Sequence, residues 1–333
     1  MASKEPLLAY WIRRFLVEHV VERNLSRHTQ ASYRDTLALL MPFVAAQART
    51  PIDALSVPQL SAGRVRAFLT HLEEQRRCGV ATRNTRLAAL HAFARFVGQR
   101  RPEQLAWAGD IRAVPFKKSP RPAMTYLDKP EMDTLLNTPN RATTQSAQDY
   151  ALLLFLYNTG ARADEAARLT VTQVNFLGAI ASVRLVGKGG KDRVCPLWAL
   201  TATLLKALTA GRAPDDVVFL NRRQQPTTRF GIHHLVRRTC RQAVQTVPAL
   251  SAKRISPHTL RHTTAVHLLR AGTDINTIRA WLGHVSLDTT NVYAHVDLDL
   301  KAKALAHCEI MTPTRKRRRW RDDPRLMAFL RSL

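Results

Sequence analysis

The segment SPHTLRH, residues 256–262, places an imidazole and a guanidinium where both can face one anion. Serine is a favoured N-cap and proline a favoured first helical residue, so a helix is expected to begin at Ser256. His258 and Arg261 then share one face of the first turn, beside backbone N–H groups that carry partial positive charge. The alternative is a capping or core histidine next to an ordinary surface arginine.

A second segment, LGHVSLDTTNVYAHV at residues 282–296, contains a histidine followed by a tyrosine. A short helix over 274–282 is expected to end at Gly283, because glycine readily adopts the left-handed stop. His284 follows directly, and Ser286 can cap a further helix that carries Tyr293. A lone tyrosine in a helix is more often a core or interface residue, so its meaning depends on the other segments.

Two more segments carry charged side chains at short spacing. TGARADEAARL, residues 159–169, places Arg162 one helical turn before Glu165. VGKGGKDRVCPL, residues 186–197, contains a glycine-rich turn with Lys188 and Lys191, flanked by predicted strands at Ala179 to Val186 and Asp192 to Pro196. Glycines on both sides of Lys188 let such a turn approach a ligand closely.

These four segments, in this order, resemble the motifs of the tyrosine recombinase (lambda-integrase, phage integrase) family, of a Xer-like or transposon-borne subtype. The resemblance covers residues 126–296 and, more loosely, the helical N-terminal part, which is similar to the family's core-binding domain. It implies a site-specific recombinase that cleaves and rejoins DNA through a covalent 3′-phosphotyrosine intermediate. The implied outcome is integration, excision, resolution or transposition of a mobile element, without metal or ATP.

Phosphodiester cleavage explains why these residue types are needed. Negative charge gathers on the non-bridging oxygens during attack, and two planar guanidiniums can clamp them. Arg162 and Arg261 suit that role. A tyrosine hydroxyl, with a usual pKa of about 10, needs a base or positive charge to become a nucleophile. For Tyr293, His258 and the arginines can provide both.

The resemblance assigns the remaining roles. Lys188 is implied as the general acid that protonates the departing 5′-oxygen, with Lys191 as the alternative. His284 is implied to hydrogen-bond the phosphate or to steady the pocket. Glu165 is interpreted as a buttress that orients the guanidinium of Arg162, and an ordinary exposed carboxylate is the alternative.

Composition indicates a polyanionic partner. Lys and Arg outnumber Asp and Glu by 51 to 25, a formal charge of +26, which favours nucleic acid. No apolar run reaches the roughly 18 to 20 residues of a membrane span, and no signal peptide opens the chain, so a cytoplasmic, nucleoid-associated protein is expected. Zinc-ligand spacing, a phosphate-binding loop and a dinucleotide motif are missing, so neither metal nor cofactor is expected.

Helical periodicity, interrupted by a basic stretch with prolines, divides the chain. Residues 1–110 are expected to form a helical core-binding (SAM-like) DNA-binding domain, whose last helix closes at Gly98. Residues 111–125 are expected to be a basic linker, 126–310 the catalytic domain, and 311–333 a basic tail with an amphipathic helix. The predicted fold is mainly α with a small antiparallel β-sheet, and the resemblance implies a two-domain, C-shaped DNA clamp.

Basic residues outside the main motifs are candidate phosphate contacts. They are Arg27, His28, Arg83, Arg86, Lys117 and Lys118, together with Lys191 in the glycine-rich turn. For each one taken singly, a solvated charged face is the alternative.

The C-terminal segment is a candidate for subunit contact. Leu326, Phe329, Leu330 and Leu333 fall at helical spacing, so a helix over 323–333 would present one apolar face. The resemblance implies a homo-oligomer, from dimer to tetramer, on double-stranded recombination sites, in which this helix docks on a neighbouring protomer. Docking on its own catalytic domain is the alternative.

Two other functions use part of the same pattern. A type IB topoisomerase would use similar residues, but the spacing of His284 and Tyr293 and the helical N-terminal part favour a recombinase. A binding-only DNA protein with a decayed site is disfavoured because every catalytic position is filled. The helical pattern starts near Leu8, which predicts no arm-binding domain of the kind that some phage integrases carry.

The formal charge of +26 predicts that binding to DNA depends steeply on the salt concentration. Raising the salt concentration from 50 to 200 mM is expected to weaken binding to duplex DNA by about 10³-fold or more, because counterion release supplies much of the affinity. Fluorescence anisotropy with a labelled duplex measures this dependence. An affinity that stayed flat over this range would contradict the interpretation of the charge.

Overall fold

The computed structural model describes residues 7–118, 124–187, 190, 192–283 and 328. The chain divides into two compact units, Met1–Pro122 and Ala123–Leu333. The described residues of each unit bury apolar side chains in cores of their own.

The first unit is helical. Its helices are α1 (Leu8–Arg14), α2 (Val20–Glu22), α3 (Arg27–Ala48), α4 (Ala62–Glu74), α5 (Val80–Arg100) and α6 (Leu105–Arg112). A π-helical turn lies at Phe15–His19, and 3-10 turns lie at Ile52–Ala54 and Pro102–Gln104. Ser26 caps α3, because its Oγ accepts a hydrogen bond from the Thr29 amide at 3.2 Å. Ser61 Oγ accepts in the same way from the Arg64 amide at the start of α4 (3.3 Å).

Aromatic packing holds the first unit together. Phe15, Phe93 and Phe96 are fully buried. The ring of Phe15 meets the other two edge-on, with centroids 5.4 and 5.5 Å away. Trp107 on α6 packs against the same core, and its Nε1 donates to the carbonyl oxygen of Leu60 at 2.7 Å. The core therefore joins α5 and α6 to the π-helical turn after α1.

Helix α5 does not end at Gly98, contrary to the expectation from sequence. It continues to Arg100. An ideal Cβ built at Gly98 would lie only 2.8 Å from the Cβ of Ala108 on α6. This glycine therefore allows two helices to approach closely and does not stop one of them.

The segment expected to be a linker, 111–125, starts inside the first unit. Ile111 lies in α6 and Val114 follows it, and both are 1 % exposed in the core of this unit. The apolar periodicity fades here because prolines follow, but burial continues past the last helical turn. Residues 119–123 lie outside the described residues.

In the described part of the chain, the second unit combines helices with a three-stranded antiparallel sheet. Its helices are α7 (Lys129–Asn137), α8 (Thr144–Thr159), α9 (Ala163–Ala167), α10 (Ala199–Thr209), α11 (Arg229–Ala243), α12 (Pro257–Arg270) and α13 (Ile275–Leu282), with 3-10 turns at Val171–Gln173 and Pro248–Ala252. Its strands, in spatial order, are β1 (Val174–Asn175), β2 (Ser182–Val186) and β3 (Asp192–Pro196). Val183 pairs with Cys195 and Leu185 with Arg193, and strand alternation buries all four.

The two predicted strands are present, with one difference at the start of the first. The strand β3 has the predicted bounds, 192–196, whereas β2 begins at Ser182. The preceding residues form a turn, in which Gly178 has φ +105° and the Leu177 amide donates to Asn175 Oδ1 at 2.9 Å. Strand β1 was not predicted, because two residues carry no periodicity.

Helix α8 lies at the centre of the second unit. Every residue from Asp149 to Thr159 is buried, and Gly160 ends the helix in the left-handed conformation at φ +60°. Helix α7 begins after Asp128, which forms a capping box with Glu131. Across the described ranges, no helix combines the length and the apolar character that a membrane crossing requires.

Replacing Gly98 by alanine is expected to lower the free energy of unfolding by about 1–3 kcal/mol, because the new methyl group overpacks the contact with α6. Gly109 is the matched control, since an ideal Cβ there meets nothing within 4 Å. Gly109→Ala should raise stability by about 0.5–1 kcal/mol through helix propensity alone. Urea unfolding of both variants measures the pair, and shifts of the same sign would contradict the packing role of Gly98.

Candidate active site

The first turn of α12 carries His258 and Arg261, as the sequence predicted. Ser256 is its N-cap: its Oγ accepts from the Thr259 amide at 3.3 Å, and Thr259 Oγ1 accepts from the Ser256 amide at 3.1 Å. Pro257 occupies the first helical position. His258 is exposed and Arg261 is buried at 3 % exposure, so the two side chains meet the surface differently.

Arg261 ties together the ends of two other helices. Its Nη1 donates to the carbonyl oxygen of Gly160, after α8, at 2.6 Å, and its Nη2 donates to the carbonyl oxygen of Leu282, at the end of α13. The last carbonyls of a helix lack intrahelical partners and carry partial negative charge, so a guanidinium is a favourable partner. These bonds fix the plane of the guanidinium and the position of Gly283.

Gly160 has two reasons to be glycine. Its φ of +60° is a conformation that other residues rarely adopt. An ideal Cβ there would also lie 2.6 Å from Leu282 Cδ2. A side chain at this position would therefore displace Leu282 where the ends of α8 and α13 meet.

Glu165 lies between two arginines. Its Oε1 accepts from Arg162 Nη1 (2.7 Å) and Arg193 Nη1 (3.1 Å). Its Oε2 accepts from the Arg162 amide (2.8 Å) and Arg193 Nη2 (2.7 Å). These four bonds use the whole acceptor capacity of a carboxylate. The geometry places Glu165 as a buttress beside Arg162, and its side chain is 5 % exposed, so it is not an ordinary surface carboxylate.

The charge around Glu165 keeps it ionised. Burial alone would raise the pKa of this carboxyl, but the hydrogen bonds and charge of Arg193, followed by those of Arg162, lower the pKa to about 2. The pair of arginines against one carboxylate leaves an excess of one positive charge. The side chain of Arg162 is one-third exposed, so part of that charge faces solvent.

His258 belongs to the same electrostatic neighbourhood. Neighbouring protein atoms partly desolvate the exposed ring and lower its pKa, and the charges of Arg261, Arg162 and then His233 lower the pKa further. Burial, followed by His258 and Arg261, also lowers the pKa of His262 to about 4. Arg261 also binds the carbonyl oxygen of Gly160, two residues before Arg162, so Arg162, His258 and Arg261 belong to one neighbourhood whose positive charge disfavours protonation of His258.

The other predicted catalytic residues lie outside the described residues. They are Lys188, Lys191, His284 and Tyr293. Their flanking positions are described: Gly187 and Gly190 close the turn between β2 and β3, where the Gly190 amide donates to Gly187 O at 3.3 Å. Gly283, with φ +64°, ends α13 immediately before position 284.

The predicted phosphate contacts of the first unit have different surroundings. Arg27 and His28 are exposed in the first turn of α3, and Lys118 is exposed as well. Lys117 is exposed but paired, its Nζ lying 2.8 Å from Glu73 Oε2. Arg86 is half-buried on α5.

Arg83 differs from the expectation of an exposed phosphate ligand. It is 6 % exposed, and its Nη1 donates to the carbonyl oxygen of Pro115 at 2.9 Å and to Asn84 Oδ1 at 3.0 Å. The guanidinium therefore fastens the segment after α6 to α5. A basic residue on the last long helix fits either role from sequence, and only burial separates them.

Arg193 is the site residue that the sequence analysis did not single out. It lies inside the VGKGGKDRVCPL motif, where the lysines drew attention. Strand alternation was the available signal, because Arg193 and the buried Cys195 are two residues apart and face the same side. A cation on an inward strand position requires a buried partner, and that partner is Glu165. Within the described ranges, no three His, Cys, Asp or Glu side chains come together as metal ligands do.

The low pKa of Glu165 predicts a specific pH dependence of stability. A carboxyl whose folded pKa is about 2, against an ordinary 4.5, stabilises the fold fully above pH 4.5 and loses this contribution as the pH falls toward 2. The difference in unfolding free energy between the wild type and Glu165→Gln should therefore shrink over that window, by about 3 kcal/mol at most. Urea unfolding across the pH series measures it. Asp164→Asn is the control: its ion pair with Arg168 is exposed, so its difference should stay nearly flat.

Both units of the chain match known protein families. The model of the phage integrase family matches residues 125–299, and that of its N-terminal SAM-like domain matches residues 12–101. A putative integrase/recombinase, y4rC, from Sinorhizobium fredii is 35 % identical over 100 % of this chain and 99 % of its own length. The tyrosine recombinase XerC of Pelobacter propionicus is 32 % identical, over 93 % of this chain and 98 % of its own.

Solved structures share the fold. XerH recombinase bound to palindromic difH substrate, in a post-cleavage complex, has a TM-score of 0.67 at 20 % identity, covering 86 % of this chain and 82 % of its own. The Tn1549 transposon integrase in complex with transposon right end DNA has a TM-score of 0.66 at 15 % identity, covering 89 % of this chain and 98 % of its own. With these matches across both units, the chain belongs to the phage integrase family of tyrosine recombinases, site-specific recombinases that cleave and rejoin DNA.

Proposed function

We propose that this recombinase cleaves DNA by attack of the Tyr293 hydroxyl on a phosphodiester, which leaves a 3′-phosphotyrosine link. The observation that carries the proposal is that Arg261, one helical turn after His258, donates a 2.6 Å hydrogen bond to the carbonyl oxygen of Gly160, two residues before Arg162. Arg261 also fixes the end of α13, the helix that leads to His284 and Tyr293. The family comparisons support recombination and give no support to a type IB topoisomerase.

Two arginines supply positive charge for the transition state. Arg162 presents a partly exposed guanidinium, and Glu165 holds its orientation. Arg261, on α12, contributes a buried and permanent positive charge. Fixed donors of this kind need no reorganisation when negative charge develops on the phosphoryl oxygens. They bind the attacked phosphate more tightly in the transition state than in the ground state.

His258 is suited to take the phenolic proton. Its pKa is lowered by desolvation and by the neighbouring arginines, which favours the neutral ring, and a neutral imidazole has one acceptor nitrogen. A new bond forms from phosphorus to the Tyr293 oxygen, and the bond from phosphorus to the 5′-oxygen breaks. That 5′-oxygen takes a proton from Lys188, with Lys191 as the alternative donor, and His284 hydrogen-bonds the phosphate. One phosphodiester replaces another, so the bond energy is conserved and religation needs no ATP.

The substrate is double-stranded DNA with a short recombination site. XerH is bound to a palindromic site, and a two-fold site fits two protomers that each bind one half. We infer the same arrangement here, with a second pair completing a tetramer on two DNA molecules. The segment 323–333 joins neighbouring protomers in this proposal, and its residues lie outside the described structure apart from 328. The enzyme would act on the chromosome or a mobile element, at the nucleoid in the cytoplasm.

Tyr293→Phe is expected to abolish covalent trapping while duplex binding is retained. The assay uses nicked suicide duplexes that tile the DNA flanking the gene, and covalent complexes are separated in denaturing gels and sequenced. Arg162→Lys should slow complex formation by about 10²–10³-fold, because a point charge replaces a planar, bidentate donor. Tyr10→Phe, at an exposed tyrosine of the first unit, is the matched control and should trap DNA like the wild type.

Covalent complexes that persisted in Tyr293→Phe would exclude this tyrosine as the nucleophile. Wild-type protein that bound the duplexes tightly but never formed a complex would favour the binding-only alternative. A complex that relaxed supercoils without exchanging strands would favour a topoisomerase.

A further inference from the structure

Arg193 is a buried cation outside the set of predicted catalytic residues. It lies on β3 between Asp192 and Val194, with its side chain 6 % exposed, and its cross-strand partner is Leu185. Both of its terminal nitrogens bind Glu165, in the parallel two-bond geometry that arginine and carboxylate favour. Its position therefore serves Glu165 and, through it, Arg162.

The charge balance of this group depends on Arg193. Without it, the carboxylate of Glu165 would pair with Arg162 alone, and the charge that Arg162 presents to solvent would be largely cancelled. With it, Glu165 forms its buried ion pair with Arg193 and still accepts two bonds from Arg162. The carboxylate can then orient Arg162 without neutralising it.

We propose that Arg193 is a positioning residue that compensates the charge of Glu165, so that Arg162 is held in place and keeps its net positive charge for the DNA phosphate. This inference rests on the proposed function of Arg162. The same guanidinium lies against Gly283, where an ideal Cβ would be 3.2 Å from Arg193 Cδ and 3.3 Å from its Nη1. Arg193 therefore connects the buttress of Arg162 with the end of α13.

Stability alone does not account for a guanidinium at this place. Buried ion pairs recover little more than their desolvation penalty, and apolar residues of similar volume often serve a core as well. The inward neighbours Val183, Leu185 and Cys195 are apolar. Among the described residues, the buried Nε of Arg193 has no hydrogen-bond partner, which is a further cost of placing arginine there.

The test is a double-mutant cycle of Arg193→Met, Glu165→Gln and the two combined. Arg193→Met leaves Glu165 free to neutralise Arg162, so cleavage of the nicked duplex trapped by the wild type should slow by about 10–100-fold. The combined variant removes both charges, and the glutamine can still accept from Arg162. The combined variant should cleave at least about tenfold faster than Arg193→Met. Arg193→Lys keeps the charge but not the two-bond geometry and should lie between Arg193→Met and the wild type.

A second readout is independent of cleavage and of stability. In a Tyr293→Phe background, the slope of log affinity against log salt counts the phosphates that the protein neutralises. Arg193 is buried, so its removal deletes no direct contact with DNA. If Arg193→Met removes Arg162 from its phosphate, the slope should fall by about 1. The combined variant should restore the slope. The probe is the duplex trapped by the wild type or, if none is trapped, a 40-base-pair duplex of mixed sequence.

Arg168→Met, which removes an exposed arginine from the end of α9, is the matched control and should leave cleavage unchanged. Thermal unfolding checks that each variant is folded at the assay temperature. If Arg193→Met unfolds, the combined variant can still be measured, because it contains no unpaired buried charge. A combined variant no faster than Arg193→Met, with an unchanged salt slope in both, would overturn the inference. If the wild type traps no duplex, the proposed function fails, and the salt slopes alone decide whether Arg193 compensates Glu165.

Discussion

The geometry of the site depends on the hydrogen bonds that the guanidinium of Arg261 donates. This group is buried and spans the carbonyl ends of α8 and α13, and the N-terminal turn of its own helix carries His258. Helix α8, which is distant in sequence, is thereby fixed to the neighbouring helices α12 and α13 around one cation. An arginine can do this because its planar group offers several donors in fixed directions and stays charged at any physiological pH. In the proposed mechanism, the same group supplies positive electrostatic potential to the phosphate.

Much of the fold and of the site could be predicted from sequence because the signals are local. The cap Ser256 and the stop Gly283 act within one helical turn, and each is where the pattern placed it. The strand β3 was predicted with its correct bounds for the same reason. The pairing of Arg162 with Glu165 is also local, being three residues apart at the start of a helix.

What could not be predicted depends on contacts between distant segments. Gly98 looks like a helix stop until Ala108 is found against it, and Arg83 looks like a surface cation until Pro115 is found above it. The importance of Arg193 lies in a partner 28 positions earlier in the chain, and a list of charged residues does not show this. In each case the type of residue was visible in the sequence, but its environment was not.

The shared carboxylate of Glu165 also restricts how this protein can diverge. An uncharged residue at position 165 would leave Arg193 buried with an uncompensated charge. An uncharged residue at 193 would leave Glu165 to neutralise the charge of Arg162. Each change by itself carries a cost, so the two positions are expected to be replaced together in lineages that lose the pair. Evolution at these sites then proceeds by paired steps, whereas the exposed Arg168 and Asp164 can drift one at a time.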